Sequence, residues 1–309
     1  MRHLSIAPVQ AALLIVLFAY SAAAEEAIDE IIVTADFRER PAFNLPTSVS
    51  VVSGDFIREA AQQHFEELVS VIPNFNWSGD GHRARYFQIR GIGELEQYEG
   101  APNPSVGFLI DDIDFSGIGT VATLFDMESV EILRGPQGSR YGANALAGLV
   151  YMRSTAPTAE RDGRLQLTVG DDDALSVGAA LGGALDEGEN IKFRISGQRH
   201  ESNGFRDNPH LNRDDTNGRD ETTLRARLGA HINSDLELNV AALHIDIDDG
   251  YDAFSLDNSY TMLSDKPDRD AQESVGASLR FDWTGPVSGA LTSITSFAKS
   301  EIDFSFDAD

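Results

Sequence analysis

From Arg164 onward the chain alternates apolar and polar residues with a period of two, and this rhythm dictates extended structure. Leu165, Leu167 and Val169 alternate with Gln166 and Thr168, and Ile191, Phe193 and Ile195 with Lys192, Arg194 and Ser196. Leu236, Leu238 and Val240 alternate with Glu237 and Asn239, and Leu279 and Phe281 with Arg280 and Asp282. Successive side chains of a strand point to opposite faces, so each run predicts a strand with one apolar and one polar face. Such strands suit the wall of a membrane β-barrel, lipid on one side and water or a filling domain on the other. A half-solvated soluble sheet shows the same alternation. The connections favour the barrel. Short breaks at 186–189, 233–235 and 285–288 alternate with long polar excursions at 201–220 and 248–270, the asymmetry of outer-membrane barrels.

Composition and the N-terminal residues narrow the classes further. Arg2 and His3, an apolar stretch from Ala11 to Tyr20 and the small residues Ala22-Ala23-Ala24 read as an export signal over 1–24. No later segment offers the ~18 consecutive apolar residues of a spanning helix. There is no cysteine, which excludes disulfides and thiolate metal sites. A net charge of −26 argues against a nucleic-acid partner, which would need clustered Lys and Arg. The glycine run 135–148 lacks the Gly-Lys-Ser/Thr ending of a phosphate loop. The acidic clusters 171–173 and 246–252 lack the spacing of a calcium loop. His64 and His82 have no metal-ligand spacing, and no Ser/His/Asp grouping stands out. The expectation is a protein without catalytic residues, metal or cofactor, and not an enzyme.

Between these regions, residues 41–158 mix strands and short helices, as a small α+β domain does. Thr47–Val52, Tyr86–Arg90 and Val106–Ile110 are expected strands. Helices are expected over Gly54–Gln62, opened by Ser53 or Asp55, and from His64 to Val71, where Phe65, Leu68, Val69 and Ile72 share a stripe that Pro73 ends. In Asp126 to Thr155, Val130, Ile132 and Arg134 alternate with Glu131 and Leu133. Gly135-Pro136 and Gly138 break that strand, Ala143 to Ala147 have helical character, and Leu149 to Met152 return to a β-prone run.

This last stretch resembles the plug domain of TonB-dependent outer-membrane receptors. Leu133 to Gly138, Tyr141-Gly142 and Asn144-Ala145 match the family's LRGPQG–YG–NA pattern, with Ala147 where a second glycine is frequent. Ile89-Arg90-Gly91 and Val106 to Asp112 follow the family's order too. The resemblance implies an α+β plug domain followed by part of an antiparallel transmembrane β-barrel, 22-stranded when complete, of which about seven strands are countable here. An unfinished barrel would leave edge backbone groups unpaired in lipid at several kcal/mol each, so the chain is expected to be a truncated, N-terminal piece. The expected organisation is a signal at 1–24, a TonB-box segment at 25–40, a plug at 41–158 and a partial barrel at 159–309.

Residue roles follow from the same resemblance. Glu30, Ile31, Ile32, Val33, Thr34 and Ala35 look like the TonB box, a β-prone run able to pair edge-to-edge with TonB and so with its inner-membrane energising complex. A plain first strand of the next domain is the alternative. Arg90 and Arg134 would latch the plug to barrel glutamates expected beyond Asp309, or cap local turns, with Glu131 a possible local partner of Arg134. His82, Arg83, Arg85 and Tyr98, in loops around the Ile-Arg-Gly strand, are the candidate contacts for a small-molecule or metal-chelate ligand. The implied function is import of a scarce nutrient, an iron–siderophore type or cobalamin-like complex, across the outer membrane of a Gram-negative cell. The competing class is an exported acidic β-rich adhesion or ligand-binding protein that never enters a membrane.

Overall fold

The computed structural model describes residues 32–34, 40–79, 81–96, 103–142, 144–251, 255, 257–266, 268–285 and 289–307. The expected signal, and Glu30, Ile31, Ala35 and Tyr98, lie outside the described residues. Strand β1 (Ile32–Val33) pairs antiparallel with β2 (Arg40–Pro41). Strand β3 (Ser48–Ser53) runs into helix α1 (Gly54–Glu59). Ser53 is its cap: the Ser53 hydroxyl accepts from the Phe56 amide at 3.3 Å. The helix stops before the expected Gln62 because Ala61 takes φ +52°. The second expected helix is a 3-10 helix, Phe65–Val71, whose Phe65 and Leu68 are buried.

The remaining strands of this unit are β4 (Phe75–Ser78), β5 (Tyr86–Ile89), β6 (Val106–Ile110), β7 (Ile113–Asp114), β8 (Met127–Arg134) and β9 (Gly148–Ser154), with a one-turn helix α2 (Gly138–Tyr141) between the last two. They form a five-stranded sheet in the order β3-β8-β9-β6-β7, parallel only between β6 and β9, and a two-stranded sheet β4-β5. The helical character expected over 143–147 appears earlier, in α2. The backbone of the later residues is committed elsewhere. The Gln137 amide donates to the Ala145 carbonyl at 2.8 Å, the Gly135 amide to the Ala147 carbonyl at 2.9 Å, and the Ala147 amide to the Ser105 carbonyl at 2.8 Å. Phe65, Phe75, Phe87 and Phe108 pack ring to ring in the core, with Phe65 and Phe87 centroids 5.1 Å apart.

The second unit is a seven-stranded antiparallel meander. Its strands are β10 (Asp162–Val169), β11 (Leu175–Ala184), β12 (Ile191–Ser202), β15 (Arg219–Asn233), β16 (Leu236–Gly250), β17 (Arg269–Thr284) and β18 (Ala290–Ser305). The loop between β12 and β15 carries a small hairpin, β13 (Arg206–Asn208) and β14 (Arg213–Thr216). The register builds horizontal rows on the outward face. Ile195, Ala226, Ala242, Ala277 and Phe297 are successive cross-strand partners, as are Phe193, Leu228, Val240, Leu279 and Thr295. Two rows above the first of these lies another: Arg199, Thr222, Asp246, Glu273 and Glu301. The outward face therefore changes from apolar to charged along one line across five strands. From Ile232 to Leu224, β15 rises ~27 Å at ~3.4 Å per residue. At a strand tilt of ~40° that is about 20 Å of height, close to the apolar band of an outer-membrane barrel.

The inward face carries the first unit. Leu243, Ile245 and Ile247 of β16 join the same buried cluster as Phe108, Ile113, Phe115 and Val130. Strand β16 thus changes which face is apolar near Ala241, outward before it and inward after. Gly178 and Gly276 make room on that inner surface. A Cβ on Gly178 would stand 2.5 Å from the Phe125 ring, and one on Gly276 2.8 Å from Ile113.

Candidate functional site

Two places gather the chemistry: the seam between the inner unit and the strand wall, and the niche holding the N-terminal segment. Beside the apolar contact of β16, the seam is closed by buried polar groups. Arg83 has no exposed surface; its Nε donates to Glu221 of β15 at 2.6 Å and its Nη1 to Glu66 at 2.8 Å. Burial works against the charge on Arg83, but Glu221 and Glu66 outweigh it and raise its pKa above the ordinary arginine value. Burial also opposes ionisation of Glu66, yet His64, Arg83 and the donating Ala84 amide hold its carboxyl below the usual range. Arg85 reaches Asp270 of β17 at 3.1 Å. The His82 amide donates to Asp270 at 2.7 Å, its Nδ1–H to the Gly250 carbonyl at 3.0 Å, and its Nε2 accepts from Arg219 at 3.0 Å. That arrangement needs a neutral ring. Burial, then Arg219 and Arg83, press the His82 pKa down to about 3.

The other end of the seam uses arginines of the wall. Arg194 of β12 grips Asp126 with two bonds of 2.8 and 2.6 Å and also donates to Asp162 at 2.7 Å. Arg225 donates to the Phe125 and Thr123 carbonyls, each at 2.8 Å, and Arg227 to the Ser154 carbonyl at 2.6 Å. These inward arginines were visible in the sequence only as the polar half of an alternating strand. Their partners, like Glu66 and the wall carboxylates Glu221 and Asp270, carried no local signal. Of the four candidate ligand contacts, the structure brings His82, Arg83 and Arg85 together, but into the seam, where Arg83 is enclosed; Tyr98 lies outside the described residues.

The candidate latch arginines sit near each other at Pro73-Asn74. Arg90 has φ +55°, an exposed side chain and a backbone amide bonded to the Asn74 carbonyl at 2.8 Å. Arg134 is largely buried and donates to the Pro73 carbonyl at 3.0 Å. Burial and the neighbouring Arg90 both lower its pKa. Glu131 is not its partner. One strand position apart in phase, Glu131 and Leu133 face one side of β8 while Val130, Ile132 and Arg134 face the other.

On that Glu131 side lies the N-terminal segment. Val33 has no exposed surface and packs with Leu109, Leu133, Leu149 and Tyr151. The Thr34 amide donates to both Glu131 oxygens at 3.0 and 3.1 Å, and its hydroxyl donates to one of them at 2.8 Å. Beside Thr34 a cavity of about 320 Å³ separates this segment from wall residues including Lys192, Arg227 and Arg280. A second cavity of about 410 Å³ lies at the opposite end of the wall, under the long loops, lined by Arg213, Asp215, Asn217, Arg219 and Tyr251.

Residues 41–149 match the family profile of the TonB-dependent receptor plug domain. Over these residues the chain is a TonB-dependent receptor plug domain. Among relatives, the pesticin receptor of Yersinia pestis is 27% identical over 172 residues, 55% of this chain and 25% of that protein. The vitamin B12 transporter BtuB of Vibrio vulnificus is 21% identical over 283 residues, 87% of this chain and 45% of the relative. In three dimensions the chain shares the fold of the ferric yersiniabactin uptake receptor FyuA from Yersinia pestis, with a TM-score of 0.75 at 21% identity over 85% of this chain and 42% of the other. The receptor chain thus spans a quarter to under half the length of these relatives. The plug packs against the inward face of the antiparallel strands, and its likeness to Gram-negative receptors puts it in the outer membrane.

Proposed function

We propose that this receptor chain serves the import of a scarce nutrient, an iron–siderophore type complex, across the outer membrane, with TonB and its inner-membrane complex supplying the energy. The observation that carries this reading is a plug domain seated by buried ion pairs inside strands whose opposite face is a band of aliphatic side chains. Relatives named for vitamin B12 and ferrioxamine B, and a fold neighbour named for ferric yersiniabactin, support a chelate-sized cargo. The ligand would enter by the cavity under the long loops, with residue 98 and the loop residues around it as contacts. His82, Arg83 and Arg85 would stand directly beneath, coupling ligand contact to the seam. Work would be done by the partner's pull and not by bond-making chemistry, so the chain would have no enzymatic role and need no cofactor.

The division into a signal at 1–24, a TonB-box segment at 25–40, a plug at 41–158 and barrel strands from 159 belongs to this proposal. So does the latch: Arg90 and Arg134 form a like-charged pair, and no carboxylate among the described residues bonds to either one. Glutamates from further strands would complete it. An exported binding protein outside the membrane is disfavoured, since it would leave Leu165, Leu181, Leu279 and Phe297 facing water in continuous rows. The test is ferric-siderophore uptake by cells carrying the receptor. Deleting residues 30–35 abolishes uptake while surface binding of the chelate persists; uptake that survives the deletion removes the coupling role.

A further inference from the structure

We propose that Glu131 is the positioning residue that keeps Ile32–Thr34 folded onto the plug, and that the glycine-punctuated motif is the niche receiving this segment. The inference rests on reading the segment as the stretch that pairs with TonB. Glu131 has no exposed surface, and a carboxylate removed from water must be met by donors. Thr34 supplies its amide to both oxygens and its hydroxyl to one. Neither group can leave without giving up these three bonds. The apolar half of the niche is equally specific. Val33 is enclosed by Leu109, Leu133, Leu149 and Tyr151, with Tyr141 packed against them. Leu133 and Tyr141 are the very residues of the Leu-Arg-Gly and Tyr-Gly elements, so the motif that marks the family builds the pocket for Val33.

The consequence concerns access. Among the described residues strand β1 pairs with β2, and the segment Ile32–Thr34 is pinned at Val33 and Thr34. A protein adding a strand here needs a longer extended run of backbone. It gains that run only when the Thr34–Glu131 contact opens and Val33 leaves its niche. Glu131 therefore sets how often the segment is available.

The chain contains no cysteine, so a single Val33→Cys reports the niche through its rate of maleimide labelling in the full chain, held in detergent micelles. Adding Glu131→Ala should speed labelling about 10- to 100-fold, the range expected for losing charge-assisted hydrogen bonds. Glu131→Gln, which keeps one acceptor, should lie between. Phe43→Cys, at a fully exposed site, should label equally fast with and without the change; Val150→Cys, in the plug core, should stay protected in both. Unchanged labelling at Val33→Cys overturns the proposal. Parallel rises at Val33→Cys and Val150→Cys overturn it too, because they assign Glu131 a general structural role. Should Glu131→Ala not fold, Thr34→Pro removes the donors from the other side and must release Val33→Cys likewise. Binding of the isolated periplasmic domain of TonB to the same variants separates the two readings: faster labelling without tighter TonB binding keeps the niche and discards the segment's role.

Discussion

Arg83 illustrates how a residue flagged in the sequence acquires a different meaning in the fold. A basic run at 82–85 in a loop invites a ligand, yet Glu221 lies 138 positions further on and Asp270 188 positions beyond His82. No local pattern could reveal these partners. Replacing Arg83 by Met keeps the volume but leaves Glu66 and Glu221 buried without their shared guanidinium. The expected loss is ~3–5 kcal/mol of plug seating, measurable as a lowered urea midpoint for Trp77 fluorescence in β4. His82 gives a prediction in pH. Its folded pKa of about 3 lies below the ordinary 6.5, so the fold favours the neutral ring. The contribution is complete above pH 6.5 and is lost as pH falls toward 3, because the unfolded chain takes up the proton first. Protection of the amides at 81–86, corrected for the intrinsic pH dependence of exchange, should fall through that window, and His82→Gln should flatten the dependence.

Elements were legible where one periodicity ruled and obscure where two competed. The alternating runs of β10, β12 and β17 follow directly from their residues. In β16 the run Val240-Ala241-Ala242-Leu243 is apolar on both faces, so periodicity alone cannot show that the apolar side turns inward to meet the plug at Leu243, Ile245 and Ile247. The helix expected at 143–147 is absent from its described residues, 144–147, for a similar reason, since long-range backbone bonds overrode local propensity. The outward rows can be tested by substitution. Leu228→Arg, in the middle of the band, should cost about 2–4 kcal/mol of stability in a bilayer, and Thr222→Arg, in the charged row, close to nothing. Equal costs from urea titrations in vesicles would remove the band. On the inner face, Gly276→Leu should push β17 away from Ile113 and Phe115; the readout is faster proteolysis of the plug with the strands left protected.

For the molecule as a whole, the sequence revealed the sequence of parts but not how firmly they interlock. Strands β10 and β18 each have one side unpaired among the described residues, and in hydrocarbon such edges demand further strands. That requirement agrees with the greater length of the relatives. The central claim is that this sheet separates lipid from plug, residue by residue. A nitroxide scan along β17 in outer-membrane vesicles tests it, using the cysteine-free background. Labels at Val275, Ala277, Leu279 and Phe281 should collide with lipid-dissolved oxygen, and those at Gly276, Ser278 and Arg280 should be shielded from it. Uniform access to a water-soluble relaxant at both sets would contradict the receptor fold in the membrane.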